Sequence, residues 1–271
     1  MYKADSHVHS NFSGDSVERL ENIAERAIEL GMDEITITDH LDLDYADGIK
    51  IFELNVPKYI EALKNLKETY KDKIKIRIGV ELGLQPQLVR KYDEIFNCED
   101  IDFIIGSFHC IKGMNVAGRK FFEKYSKDEA HRMYFEEILE TIKLFPRISV
   151  CGHLDFINRY GKAFHNDYKE INFELHKEII DQIFIKLIKK NIGIELNTSG
   201  LRYGLKDFHP CRRNLERYKE LGGRIITVGS DAHKASDIMK DFDKAREELK
   251  EVGFEKFCTF EKRKAIYRDL D

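Results

Sequence analysis

Seven times along its 271 residues this chain repeats one pattern: a short β-rich run ends near a histidine, aspartate or glutamate, and a stretch with helical spacing follows. The runs fall at residues 4–7, 34–38, 74–80, 103–107, 148–151, 192–196 and 224–228. Strands that alternate with helices call for a parallel sheet joined by right-handed crossovers. Polar residues close every strand at its carboxyl end. In a barrel those ends converge on one mouth, where active sites are found, so closure into an α/β barrel is expected rather than an open sheet.

The intervening segments carry helix punctuation. A helix over 16–31 takes Ser16 as N-cap, with Val17, Leu20, Ile23, Ala24, Ala27 and Ile28 on one stripe. A second covers 56–71 with Pro57 in its first turn. Others are expected at 87–96, 127–145 (stopped by Pro146), 171–190, 210–221 (closed by Gly222 and Gly223) and 235–252, before a short apolar tail at 257–260. The loops at 42–55 and 112–125 are long enough to roof a small-molecule pocket.

Composition narrows the partners. Lys plus Arg total 45 against 49 Asp plus Glu, a net charge of −4 that argues against a general nucleic-acid surface. No signal-peptide apolar region opens the chain, and no apolar run reaches membrane-spanning length. Cys98, Cys110, Cys151, Cys211 and Cys258 are scattered and odd in number, which fits reduced thiols in the cytoplasm. With no evident linker, residues 1–271 read as one domain; oligomeric state stays open.

The strand ends carry the chemistry. The first offers His7 and His9, which project from one face because strand side chains alternate, with Asp15 just beyond. The others offer Asp39 and His40; Glu81; His109; His153; Glu195 and Asn197; then Asp231 and His233. Imidazole and carboxylate donors without thiolate suit Zn, Fe or Mn in a hydrolytic site. One cation takes about three or four protein ligands, so this set is enough for two or three.

The run His7-Val-His9 with Asp15, Thr38-Asp39-His40, Glu81, His109, His153 and Asp231-Ala-His233 resembles the polymerase and histidinol phosphatase (PHP) superfamily over essentially the whole chain. Within it, the length and the segments Gly152 to Tyr160 and Glu195 to Arg202 are similar to the stand-alone histidinol-phosphate phosphatases. The resemblance implies a distorted (β/α)7 barrel, three divalent transition-metal ions, and a small phosphate monoester, L-histidinol phosphate, as substrate. By that resemblance His7, His9, Glu81 and Asp231 hold one ion. Glu81 bridges to a second, held also by His109 and His153, and Asp15, His40 and His233 hold the third. Glu81 as the bridge, with Asp231 and His233 as candidates for the leaving-group proton, is the expected catalytic set. Arg159 and Arg202, on loops after strands five and six, are the candidates for a guanidinium clamp on phosphate. Asp42 is the candidate for an amine.

Competing readings remain. Asp39 and Asp155 are expected to orient neighbouring histidines rather than bind metal. His131, His165, His176 and His209 match no motif and read as structural. Arg119 and Lys120 read as surface charge, Phe121 and Phe122 as packing. The functional alternatives are a phosphoesterase acting on nucleotides or oligonucleotides, a protein phosphotyrosine phosphatase, and a metal-stabilised binding module without activity.

Overall fold

The computed structural model describes residues 2–164 and 172–271. Its strands are β1 (Ala4–Val8), β2 (Glu34–Ile37), β3 (His40–Leu41), β4 (Lys75–Gly83), β5 (Phe103–Ser107), β6 (Cys110–Ile111), β7 (Met114–Asn115), β8 (Val150–Cys151), β9 (Gly193–Asn197), β10 (Ile226–Gly229), β11 (Lys256–Glu261) and β12 (Lys264–Asp269). The sheet runs β1-β2-β4-β5-β8-β9-β10, with β3 also pairing on β4, and every pairing in it is parallel. At the carboxyl end of β1, Val8 bridges Ala232, which lies just past β10, and the His9 amide donates to the Ala232 carbonyl at 2.8 Å. The seven expected strands therefore lie side by side in chain order, and the last returns to the first. The architecture is a distorted α/β barrel.

The barrel lumen changes character along its axis. On β5, Phe103, Ile105 and Ser107 share a face by alternation. Phe103 and Ile105 join Val150 in an apolar cluster with Cys258 and Phe260 of β11, whereas Ser107 donates to Glu81 Oε1 at 2.6 Å. One end is thus filled with hydrocarbon by a C-terminal hairpin, and the other with histidines and carboxylates. The segment expected to be a short apolar tail is in fact this hairpin. Its turn residues, Lys262 (φ 46°) and Arg263 (φ 66°), take the left-handed conformation usually reserved for Asn and Gly, so no ordinary turn signal marks it. Asp102 holds the turn: its carboxylate accepts from the Lys262 amide at 2.9 Å and its carbonyl from the Arg263 amide at 2.8 Å.

The helices are α1 (Leu20–Glu29), α2 (Val56–Thr69), α3 (Asp93–Asn97), α4 (Arg119–Lys124), α5 (Lys127–Leu144), α6 (Ile157–Phe164), α7 (Phe173–Lys189), α8 (Ser199–Arg202), α9 (Arg212–Glu220) and α10 (Phe242–Val252). The first helix starts later than expected. Ser16 is not its cap; the hydroxyl donates to the His233 carbonyl at 3.0 Å, and Val17 is 90 % exposed rather than on the buried stripe. The loop ahead of α1 is claimed by the barrel mouth instead. Short 3-10 turns at Pro86–Leu88 and Ala235–Asp237 replace the first turns expected of α3 and α10. No helix among the described residues is long and apolar enough to cross a membrane, and all five cysteines are free.

Candidate metal centre

Strand alternation brings His7 and His9 together, with their Nε2 atoms 3.0 Å apart. Glu81 Oε2 lies 3.1 Å from the first and 3.4 Å from the second. Asp231 Oδ1 lies 3.8 Å and 3.4 Å from the same two nitrogens. Donors about 2.0–2.2 Å from a tetrahedral cation stand roughly 3.3–3.6 Å apart, so these four atoms frame a site of that size. The second Glu81 oxygen faces the other way: Oε1 is 2.9 Å from His153 Nε2 and 3.4 Å from His109 Nε2. Asp15 Oδ2 is 3.1 Å from His233 Nε2 and 3.6 Å from His40 Nε2, while His40 Nδ1 is 3.1 Å from Glu81 Oε2. All nine expected donors converge, and the single Glu81 carboxylate separates two of the donor sets.

The hydrogen bonds around the histidines test whether metal fits here. His7 Nδ1 is 2.6 Å from Glu195 Oε1, and His109 Nδ1 is 2.6 Å from Asp42 Oδ2. His233 Nδ1 is 3.0 Å from the Asp231 carbonyl. His9 Nδ1 is 3.1 Å from Ser13 Oγ, which spends its own proton on Asp39 Oδ1 at 2.8 Å. Each partner is an acceptor, which assigns a ring N–H to Nδ1 and leaves Nε2 facing into the cluster, able to meet a cation there or to carry a proton in its place. Four such nitrogens facing carboxylates, three of them on buried rings, need positive charge among them. Divalent cations satisfy that need.

The titration behaviour of the ion-free cluster agrees. Burial opposes charge on His7, His40 and His109, yet neighbouring carboxylates overcome it. Glu195 and Glu81 hold His7 well above the ordinary imidazole value; Glu81 and Asp15 lift His40 to about 9, and Asp42 and Glu81 lift His109 to about 10. Burial, with His233 and His40 nearby, drives His9 down to about 3. Burial works against ionisation of Glu81 and Asp231 too, but the surrounding histidines, joined by Arg159 at Asp231, hold both well below the usual carboxylate range.

A cleft opens over the cluster. Tyr45 and Phe52 line it from the first long loop and Ala117 from the second, as expected of a roof, and Phe156, Tyr160 and Tyr203 add aromatic walls. The two candidate arginines part company here. Arg159 lines the cleft, its Nη2 anchored to Ser199 Oγ and, at 3.1 Å, to Asp231 Oδ2, with the guanidinium packed against Phe156 and Tyr203. Arg202 is not among the lining residues; it donates to the backbone carbonyls of Ser230 and Asp231.

Asp42 lines the cleft, but its Oδ2 is committed to His109 and only Oδ1 lacks a hydrogen-bond partner. Asp39 acts on His9 through Ser13, as an orienting role requires. Asp155 orients a histidine outside the cluster, accepting from His209 Nδ1 at 2.6 Å. His131 and His176 are buried between α5 and α7, and His165 lies outside the described residues. Sequence reasoning missed Ser13 and Ser199, small hydroxyls with no motif of their own, and the aromatic walls.

A parallel barrel whose mouth gathers imidazole and carboxylate donors without thiolate is the framework of a metal-dependent hydrolase. Residues 5–199 match the PHP domain, and the chain belongs to the PHP family. It is 36 % identical over 261 residues to the histidinol-phosphatase of Lactococcus lactis subsp. lactis, covering 96 % of this chain and 95 % of that one. The crystal structure of histidinol phosphate phosphatase from the same organism, complexed with zinc, L-histidinol and phosphate, superposes with a TM-score of 0.87 at 32 % identity, covering 97 % of this chain and 98 % of that one.

Proposed function

We propose that this chain is a phosphomonoesterase that hydrolyses L-histidinol phosphate to L-histidinol and phosphate in histidine biosynthesis, with up to three divalent ions (Zn, Fe or Mn) in the cluster. The observation that carries the reading is the match in sequence and fold, over nearly the whole of both chains, to a phosphatase crystallised with zinc and both products of that hydrolysis. It is supported by the nine converging donors and by the cleft that opens over them.

His7, His9, Glu81 and Asp231 would hold one ion, Glu81, His109 and His153 a second, and Asp15, His40 and His233 a third; when bound, such ions would supply Lewis acidity toward phosphoryl oxygens and lower the pKa of water. The chain's own residues do the rest. Glu81, with one oxygen toward each of two donor sets, fixes their spacing. Arg159 is buried and held on one side by Ser199 and Asp231, while its Nε has no hydrogen-bond partner. It is therefore preorganised to donate to a phosphate oxygen without first losing side-chain freedom. The histidines around Asp231, with Arg159, hold its carboxyl below the usual range, so it meets the cluster as a carboxylate. At the other end of the substrate, Asp42 Oδ1 offers a carboxylate oxygen to a cationic group, and Tyr45 and Phe52, with ring centroids 4.8 Å apart, offer apolar surface to an imidazole.

Kinetics on histidinol phosphate, p-nitrophenyl phosphate, a phosphotyrosine peptide and a short oligonucleotide test the proposal. A site built around polar groups rejects substrates lacking their partners by up to about 10⁴-fold, so histidinol phosphate is expected to lead in kcat/KM by at least about 100-fold. Preference for the oligonucleotide or the phosphopeptide overturns the substrate while leaving the metal centre in place. No turnover of any of them in the metal-loaded protein favours a binding module.

A further inference from the structure

We propose that Arg202 is a positioning residue that holds the two metal-site residues after β10, Asp231 and His233, in their working arrangement. The case starts from the backbone. Asp231 has φ +53°, the left-handed region that L residues with a side chain disfavour. Such a conformation persists only where the surroundings over-determine it.

Arg202 supplies that determination. Its Nη1 and Nη2 both donate to the Ser230 carbonyl at 3.1 Å, and Nη2 also donates to the Asp231 carbonyl at 2.7 Å. Asp237 Oδ2, 3.8 Å from Nε, steadies the far edge of the guanidinium. The Asp231 carbonyl also accepts from His233 Nδ1 at 3.0 Å. Arg202 and the histidine that needs its N–H anchored thus meet at one oxygen. With that carbonyl held toward Arg202, the Asp231 side chain turns the other way, Oδ1 toward His7 and His9 and Oδ2 toward Arg159 and Ser199.

The same short segment grips Asp231 at both ends. Ser199, which opens α8, contacts its carboxylate, and Arg202, which closes α8, contacts its carbonyl. A lysine has one compact ammonium and lacks the planar fork that spans two successive carbonyls. Arg202 acts on the site through Asp231 and His233; the guanidinium that lines the cleft is that of Arg159.

The inference rests on reading Asp231 and His233 as metal ligands, and the experiment separates the two. Zinc affinity of the parent, Arg202→Ala and Arg202→Lys is measured by competition with a chromophoric chelator, and inhibition by inorganic phosphate is measured at saturating zinc. Losing a partner that orients a ligand typically weakens metal binding about 10–100-fold, and that loss is expected for Arg202→Ala at the weakest-held ion. Arg202→Lys is expected to fall in between, and the phosphate inhibition constants to stay within a few-fold of the parent. Unchanged zinc affinity with phosphate inhibition weakened about tenfold or more overturns the proposal in favour of a direct phosphate contact. No change in either quantity overturns it outright, and a parent that binds no zinc overturns the ligand reading beneath it. Should Arg202→Ala fail to fold, the lysine variant decides by the same two readouts.

Discussion

His7 Nδ1 sits 2.6 Å from Glu195 Oε1, and neither side chain has exposed surface. Glu195 accepts with its second oxygen from the His153 amide at 2.9 Å and from Asn197 Nδ2 at 3.1 Å. It therefore sets the tautomer of one donor and the backbone of another. Glu195→Gln keeps the shape but offers His7 a neutral partner. Zinc affinity is expected to fall about 10–100-fold, measured by chelator competition; affinity within a factor of two of the parent removes the orienting role.

Glu81 is expected to matter more than any donor at the edge of the cluster, because its two oxygens face different donor sets. Elemental analysis of chelator-free protein should exceed about one metal equivalent per chain, given that one ion takes three or four ligands. Glu81→Gln should lower that count and cut kcat/KM by at least about 100-fold, more than Asp15→Asn does. A variant with parental metal content and activity excludes a bridge.

Acid should compete with metal. In the ion-free protein His40 titrates near 9 and His109 near 10, with His7 raised further by Glu195 and Glu81 against its burial. Raised imidazoles stabilise the ion-free fold when protonated, a contribution complete below about pH 6.5 and lost as pH climbs through 9 and 10. Metal needs the same nitrogens bare, so the dependence reverses on loading. The Tm gain on adding zinc is expected to be larger at about pH 8 than at about pH 6, with roughly two or three protons released per chain in calorimetry. A gain that grows toward acid contradicts the assignment of these histidines as ligands.

Arg159→Ala should separate phosphate binding from metal binding. Removing one member of a desolvated charge pair costs about 2–5 kcal/mol. Felt in the transition state, that is roughly 30-fold to several thousand-fold in kcat/KM. Product inhibition by phosphate should weaken in parallel at saturating zinc, and Arg159→Lys should recover little, because the ammonium lacks the guanidinium fork. Parental phosphate inhibition in Arg159→Ala sinks the phosphate role.

The hairpin turn gives a stability test far from the cluster. Lys262 sits at φ 46°, where asparagine pays less than lysine. Lys262→Asn is expected to raise unfolding stability by about 0.5–1 kcal/mol, read as a shifted denaturant midpoint with unchanged slope. A lower midpoint means that the lysine side chain, rather than the Asp102 anchor, secures the turn.

How much of this was legible beforehand follows from the range of the interactions involved. The seven barrel strands and the nine donors are local facts. Alternation on β1 alone puts His7 and His9 on one face, and a polar residue after each apolar run marks each strand end. Ser16 misled because a serine ahead of a helical stripe looks like a cap whether or not a distant carbonyl, here that of His233, claims its hydroxyl. The β11–β12 hairpin was missed because its left-handed turn is built from Lys262 and Arg263 and is held by Asp102, far away in sequence.

The sequence by itself determined the strand order, the chemistry of the donors and the family, because periodicity and residue type are properties of neighbours along the chain. Only the tertiary structure decided how Glu81 divides its two oxygens between donor sets, and which arginine faces the cleft. Arg159 and Arg202 are alike in type and both follow a barrel strand. Their difference lies in partners reached across the fold: Ser199 and the Asp231 carboxylate for one, the carbonyls of Ser230 and Asp231 for the other. One guanidinium lines the cleft while held by side chains, and the other is turned onto backbone carbonyls.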